Sequence, residues 1–386
     1  MYMIRNSILP DIPQPWLHLR FLTSAIHCDH QRLQQQTEPS HRLQAVNKNE
    51  DHRSLAMRSR GLLRLIVNSR NFSSHRPKMP RLNATSEKAI ERLRAFQPPP
   101  TSYNLVPLSR RAAVLVLLYA DLNGDLRVVL TIRAKTLSSY AGQAALPGGR
   151  ADTLEETPFQ TARREAHEEI GLPDIHHQLP APFHVEHLCE LPASLARTEL
   201  VVRPCVALLH SYDEKTGQNA DPEVSLIPRL DAREVAAVFT APFRNFLRLR
   251  DESDDGSGNP GDWYQGAWTE WHQSNWRMHQ FFVPIRPQSV VKPRSSSQRQ
   301  KEAVSELEEK EKSGEVTRYR VFGMTARMLV DVARVAYAEE PEFEHNSHFG
   351  DEKLIAQLRK MGRLSPIRRK DDMLTREDLL RAAKLS

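Results

Sequence analysis

Glu165, Glu168 and Glu169 follow one another at i, i+3 and i+4. On a helix that spacing projects all three carboxylates from one side. A solvated helix face normally intersperses Lys or Arg among such acids. An oxygen-only cluster suits hard divalent cations such as Mg²⁺ or Mn²⁺, which in turn hold phosphate oxygens. Arg164 stands beside the first acid, in reach of a carboxylate whose rotamer it can fix. Upstream, Pro147-Gly148-Gly149 forms a turn whose bare backbone allows close approach to a ligand, and Asp152, Glu155 and Glu156 add further acids between turn and cluster. The competing interpretation is a charged surface helix. It is sufficient for the run 164–169 in isolation; the Gly-Gly turn, the cap and the terminal Gly weigh against it.

The acids need a helix to position them, and the local signals for one are complete. Thr157 is a suitable N-cap, Pro158 a suitable first residue, and Gln160 stands where a capping box requires Glu or Gln. The pattern predicts a helix over 158–170, stopped by Gly171. Ala162, Ala166 and Ile170 form its apolar stripe, which would seat it on a sheet.

Gly149, Arg164-Glu165-Ala166, Glu168-Glu169 and Gly171-Leu172 together resemble the Nudix box (149–172), the loop-helix-loop of hydrolases acting on a nucleoside diphosphate linked to another group. One extra residue separates Gly149 from Arg164 relative to the common spacing. That longer form is similar to the coenzyme A diphosphatase branch, as is the upstream run Leu130-Thr131-Ile132-Arg133-Ala134, then Gly142, then Pro147-Gly148-Gly149. Two positions depart: Ser138 stands where the branch usually has Arg, and Leu146 where it usually has Phe. The resemblance spans roughly 84–280 and resumes near Arg318. It implies an α/β (α+β) fold, a Nudix-type α/β/α sandwich with a mixed central sheet. It also implies an enzyme with Glu165, Glu168 and Glu169 as metal ligands and, with Arg164, as catalytic residues. Arg133, Gly148 and Gly149 would serve substrate binding. The implied cofactor is Mg²⁺ or Mn²⁺. The implied substrate is a small molecule, coenzyme A or a derivative, cleaved to adenosine 3′,5′-bisphosphate and 4′-phosphopantetheine or its acyl form. Two rivals stay open: a diphosphatase for ADP-ribose, NADH or dinucleotides, and a non-catalytic nucleotide-binding module. Retention of every acid in the box counts against the latter.

Three domains are expected: a disordered or targeting segment over 1–78, the catalytic domain over 79–340 with a low-complexity insertion at 286–315, and extra C-terminal helices over 341–386. The first segment carries Gln34-Gln35-Gln36 and no sustained periodicity. Between His52 and Ser86 it is Arg-rich and free of acids, resembling a mitochondrial presequence, though not at the extreme N-terminus; Met57 and Met79 are alternative starts. Apolar strands are expected over 112–119 and 126–132, joined by a turn at Asn123-Gly124, and over 200–209, where Pro204 suggests an edge or a bulge. Arg133 and Lys135 end the second strand, as phosphate-binding or merely solvated cations. His184, Glu186, His187 and Cys189 invite a metal interpretation, but strand alternation sends them to opposite faces. Glu234 is a candidate further acid. Four of the five tryptophans fall in 263–283, for core packing first and base stacking second.

The 386 residues carry a net charge of +6, which suits a polyanionic small molecule without requiring nucleic acid. Cys28, Cys189 and Cys205 offer no disulfide framework or CxxC pair, in keeping with a reducing compartment. No run approaches the ~20 apolar residues of a membrane span. The resemblance implies a peroxisomal location, with mitochondrial and cytoplasmic alternatives. Ala383-Lys384-Leu385 resembles a peroxisomal address, but Ser386 follows it.

Overall fold

The computed structural model describes residues 82–133, 143–176, 179–213, 218–227, 235–252, 262–271, 274–286, 290–292, 298–367 and 374–385. All lie in one unit, Phe72–Ser386. The segment 1–78, Lys135, Ser138, Gly142 and Glu234 lie outside the described residues.

Strand β1 (Arg111–Ala120) and strand β2 (Leu126–Arg133) form the expected hairpin. Gly124, at φ +79°, closes its turn by donating to the Asp121 carbonyl at 2.9 Å. Short strands β3 (Ala144–Ala145) and β4 (Gly148–Arg150) follow, then β5 (His184–Glu190), β6 (Ser194–Leu195) and β7 (Val201–His210). A ribbon of β8 (Tyr212–Asp213) and β9 (Gln218–Asn219) stands apart from the main sheet. The remaining strands are β10 (Val235–Pro242), β11 (Tyr264–Trp271), β12 (Ser274–Pro284), β13 (Val290–Val291) and β14 (Arg318–Phe322). The main sheet runs β13-β10-β2-β1-β7-β5, with β3 on β2, β4 on β1 and β6 on β7. It is mixed: β1 and β7 pair in parallel from Arg111↔Val201 to Leu118↔Leu208, and the other pairs are antiparallel.

Helix α1 spans Ala84–Ala95 and α2 spans Pro158–Ile170; α3 is the single turn Pro222–Ser225. Then come α4 (Gln298–Lys312), α5 (Gly323–Tyr337), α6 (Glu352–Lys360) and α7 (Arg376–Lys384). Both faces of β1 are covered, which is why it reads as one continuous apolar run. Ala113, Leu115, Leu117 and Tyr119 pack with Ala162, Ala166 and Ile170 of α2. Val116 and Leu118 face Ile90 and Leu93 of α1 and Leu329 of α5. The result is the α/β/α sandwich that the sequence implied.

Two expectations need correction, and a third holds in part. Strand β7 is interior, between β1 and β5. Pro204 is tolerated there because the β5 ladder ends at Cys205 and the β6 ladder begins at Val202, so no neighbour on that side requires its missing N–H. The stretch 286–315 is not simply a low-complexity insertion. Helix α4 buries Gln300 and Ala303, and the Gln300 side-chain amide donates to the Val235 carbonyl at 3.1 Å. The tryptophan-rich stretch divides between two environments. Trp263 is core and donates to the Asn245 carbonyl at 2.9 Å. Trp268 is 44% exposed, beneath the Arg277 guanidinium.

The C-terminal helices are held by half-buried carboxylates. Glu352 accepts from Thr101 Oγ1 (2.7 Å), the Ser102 N–H (2.8 Å), the Ala193 N–H (2.8 Å) and Arg203 Nη1 (3.1 Å). Its neighbour Asp351 takes Arg327 Nη1 of α5 and the Leu195 N–H, each at 2.9 Å.

Candidate active site

Helix α2 begins with the reciprocal cap that its sequence predicts. The Gln160 N–H donates to Thr157 Oγ1 (3.2 Å), and the Thr157 N–H to Gln160 Oε1 (2.9 Å). Gly171 ends it at φ +71°. The Gly-Gly segment becomes β4, paired with the central strand through Val114↔Gly148 and Ala113↔Gly149. Each glycine is required for its own reason. A Cβ on Gly148 would meet the Ala113 carbonyl oxygen at 2.3 Å, a backbone clash, at φ +153°. A Cβ on Gly149 would meet the Glu165 carboxyl carbon at 2.3 Å. Bare backbone at 149 is what leaves room for that carboxylate.

Arg164 is the hub of the acids. Its Nε donates to Glu156 Oε1 at 2.8 Å and stands 3.4 Å from Asp152. Its Nη1 lies 3.2 Å from both Glu165 and Glu168, and its Nη2 donates to the Arg150 carbonyl at 2.7 Å. Burial works against the guanidinium's charge, but the hydrogen bond to Glu156 and the surrounding carboxylates more than reverse this and raise its pKa. Glu156 is itself braced by the Asp152 N–H (2.9 Å) and Thr161 Oγ1 (3.0 Å). Against the cost of burial, Arg164 and these donors hold its pKa below the ordinary value.

Glu169 faces elsewhere. Its side chain is 5% exposed, with Oε1 accepting from Arg133 Nη1 at 3.1 Å and Oε2 from the Gly148 N–H at 3.0 Å. The structure therefore gathers Glu165 and Glu168 around Arg164, and Glu169 with Arg133 and Gly148. Among the described residues no three His, Cys, Asp or Glu side chains already converge as a metal-binding group. The donor set nevertheless fits a hard cation. Four carboxylates, Asp152, Glu156, Glu165 and Glu168, face one guanidinium. Burial raises the Glu165 pKa; Arg164 opposes the shift and the charge of Glu168 adds to it. A half-buried acid short of positive charge is what a divalent ion relieves.

Sequence reasoning anticipated that Arg164 ties back to an acid, but not which one. The capping signal at Thr157 placed Glu156 one residue before the N-cap, and that was the available clue. The pairing of Arg133 with Glu169 had no sequence signal. Leu146, one of the two departures, is 3% exposed within the apolar core, so it bears on packing and not on substrate contact. The His184–Cys189 stretch divides as alternation requires only as far as His187; a register shift between His187 and Cys189 then turns Cys189 into the core on the α1 side of the sheet, away from His187. His184 stacks on His210 at 4.1 Å, and Glu186 binds Arg94 and His210, each at 2.8 Å. His187 stacks on Phe159 at 4.1 Å.

A glycine-bounded acidic helix seated on a mixed sheet defines a class, and comparison with known proteins gives the same one. The NUDIX domain family matches residues 109–255. The peroxisomal coenzyme A diphosphatase 1 of Saccharomyces cerevisiae is 30% identical over 299 residues, covering 72% of this chain and 85% of that protein. Two Arabidopsis thaliana proteins are each 29% identical. Nudix hydrolase 22, chloroplastic, aligns over 67% of this chain and 66% of its own length. For Nudix hydrolase 15, mitochondrial, both shares are 61%. The chain belongs to the Nudix family and is a Nudix hydrolase. Enzymes of this family generally use divalent metal ions. No helix among the described residues is long and apolar enough to cross a membrane.

Proposed function

We propose that the chain hydrolyses the diphosphate of coenzyme A or its derivatives, with Mg²⁺ or Mn²⁺, to adenosine 3′,5′-bisphosphate and 4′-phosphopantetheine or its acyl form. The observation that carries the chemistry is the set of carboxylates around Arg164, with that of Glu165 seated in the room left by the missing Cβ of Gly149. The choice of coenzyme A is supported by the yeast relative, whose own length is 85% covered, and by the run Leu130–Arg133 ahead of the Gly-Gly strand.

Glu165, Glu168 and Glu169 would hold the metal, which when bound neutralises phosphate charge and lowers the pKa of water. Arg164 fixes the carboxylates of Glu165 and Glu168 and, through Glu156, is itself fixed to the loop before α2. Gly148 and Gly149 let the diphosphate approach the backbone. Water oxygen bonds to one phosphorus as the bridging P–O bond breaks, and the bridging oxygen leaves on the other phosphate. Residues 79–340 form the proposed catalytic domain and 341–386 its helical extension. The proposed compartment is the peroxisome, supported by the name of the yeast relative.

The test is a product assay by mass spectrometry on the full chain with Mg²⁺ or Mn²⁺. The panel is coenzyme A, an acyl derivative, ADP-ribose, NADH and a diadenosine polyphosphate. Phosphopantetheine formed from coenzyme A well above turnover of the others is the expected result. Preference for a substrate lacking the pantetheine arm overturns the coenzyme A assignment, and binding without turnover overturns hydrolysis.

A further inference from the structure

Arg133 does something in this structure that substrate binding does not require. It neutralises Glu169, one of the three acids assigned to the metal in the function proposed above. The contact is 3.1 Å from Nη1 to Oε1, against a carboxylate that is 5% exposed. The two groups are 36 residues apart in sequence. They meet because β2 ends beside the last turn of α2. Charge is therefore already balanced at Glu169 without any ion.

The Gly148 and Arg133 contacts of Glu169 differ in kind. The Gly148 N–H belongs to β4, which the ladder with Val114 and Ala113 fixes in place. Its hold on Oε2 cannot be withdrawn without breaking that pairing. The Arg133 side chain is 25% exposed and sits at the end of its strand. It can turn away by side-chain rotation alone. Its Nε is buried and has no hydrogen-bond partner among the described residues. A guanidinium that uses one donor well and leaves another orphaned is only partly satisfied in this position.

We infer that Arg133 is a resident counter-cation for Glu169 and competes with the divalent ion for Oε1. Loading the site displaces its guanidinium, and displacement frees a five-donor fork beside the acids, where the diphosphate must lie. One residue thus links two events. It holds Glu169 ionised and in place before the ion arrives, and it becomes available to phosphate only afterwards. Because the two cations exclude one another at Oε1, their binding is thermodynamically coupled. Couplings of this kind amount to roughly 5–150-fold in affinity.

The test is calorimetric titration of Mn²⁺ into the full chain, without substrate, for wild type, Arg133→Gln and Arg133→Lys. Arg133→Gln is expected to bind Mn²⁺ about tenfold more tightly, the lower part of that coupling range. Arg133→Lys keeps the charge and is expected within about twofold of wild type on the same reasoning. Thermal melting of the three proteins without metal controls for folding. If Arg133 had a merely structural role, its loss would weaken Mn²⁺ binding or leave it unchanged. Either result, with wild-type binding intact, overturns the inference alone. Absence of Mn²⁺ binding to wild type overturns the metal assignment and the inference together.

Discussion

Adjacent glycines in β4 should fail in different ways. In Gly149→Ala the new Cβ would lie 2.3 Å from the Glu165 carboxyl carbon and 2.4 Å from both of its oxygens. Ordinary contact begins near 3.4 Å, so the carboxylate must retreat by about 1.1 Å (3.4 − 2.3), a misplacement of the size that costs about 10²-fold in rate. That is ~2.7 kcal/mol of transition-state stabilisation. The displaced atoms are the far end of a side chain, so the fold should tolerate the change. Replacing Gly by Ala at a compatible backbone position even offsets some strain, by about 0.4–1 kcal/mol, through the unfolded state. Gly148→Ala is the control. Its Cβ would meet the Ala113 carbonyl oxygen at 2.3 Å and Val114 Cα at 2.6 Å, both backbone of the central strand. Neither can give way cheaply, and a loss of about 2 kcal/mol or more is expected. The assays are kcat/KM for phosphopantetheine release and urea denaturation. Expected are a Gly149→Ala protein with near wild-type stability and about 10²-fold lower kcat/KM, and a Gly148→Ala protein that is plainly less stable. The reasoning is refuted if Gly149→Ala keeps kcat/KM within about twofold of wild type, or if it unfolds as readily as Gly148→Ala.

Further expectations concern the acids and the supporting frame. Glu168→Gln and Glu169→Gln should each lower turnover by ~10²–10⁴ at saturating Mn²⁺; near wild-type rates in both would remove the metal assignment. Glu352→Ala strips Arg203, whose side chain is 3% exposed, of one of its two carboxylates. It also orphans the N–H groups of Ser102 and Ala193. A loss of about 3 kcal/mol in urea is expected, and a loss under about 1 kcal/mol would show that the C-terminal helices are anchored by other contacts. Tyr264 Oη lies 2.9 Å from His279 Nδ1, His279 Nε2 lies 2.8 Å from His345 Nδ1, and His345 Nε2 lies 2.9 Å from Asp331, so His279 sits in a buried hydrogen-bonded chain. Burial, then the His345 charge, pushes the His279 pKa down to about 2, so the unfolded chain binds the extra proton first. Stability from this group is complete above the unfolded pKa of about 6.5 and falls as pH drops toward about 2, by at most about 2 kcal/mol between pH 6.5 and 5. Urea midpoints across that interval should fall more steeply for wild type than for His279→Phe; equal slopes would show that His279 does not drive the loss.

What the sequence made legible was local. Helix α2 begins and ends where its cap, its proline and its glycine place it, because those signals act within a single turn. Strand β1 was visible because burial on both faces leaves an uninterrupted apolar run. Helix α4 was hidden for the opposite reason. Only a narrow stripe, Gln300, Ala303 and Leu307, turns inward, and charged residues on every other side dominate its composition. Pro204 misled because the rule concerns unpaired N–H groups, and a sequence does not reveal where the ladders of neighbouring strands stop.

The site shows the same division between local and distant information, with a functional consequence. Residues 165, 168 and 169 share a helix side in sequence, yet they bind different cations in space. Arg164 is local to its acids, so its role could be anticipated from the run itself. Arg133 comes from another element and meets Glu169 only through the fold. A spacing rule can count carboxylates but cannot count the distant cations that already balance them. How tightly the site takes a divalent ion depends on that balance. Four acids share Arg164 on one side, while Glu169 has Arg133 on the other. The first group carries surplus negative charge that attracts an ion. Glu169 must exchange one cation for another before it can bind one, and that exchange is where the fold adds control that the helix alone does not contain.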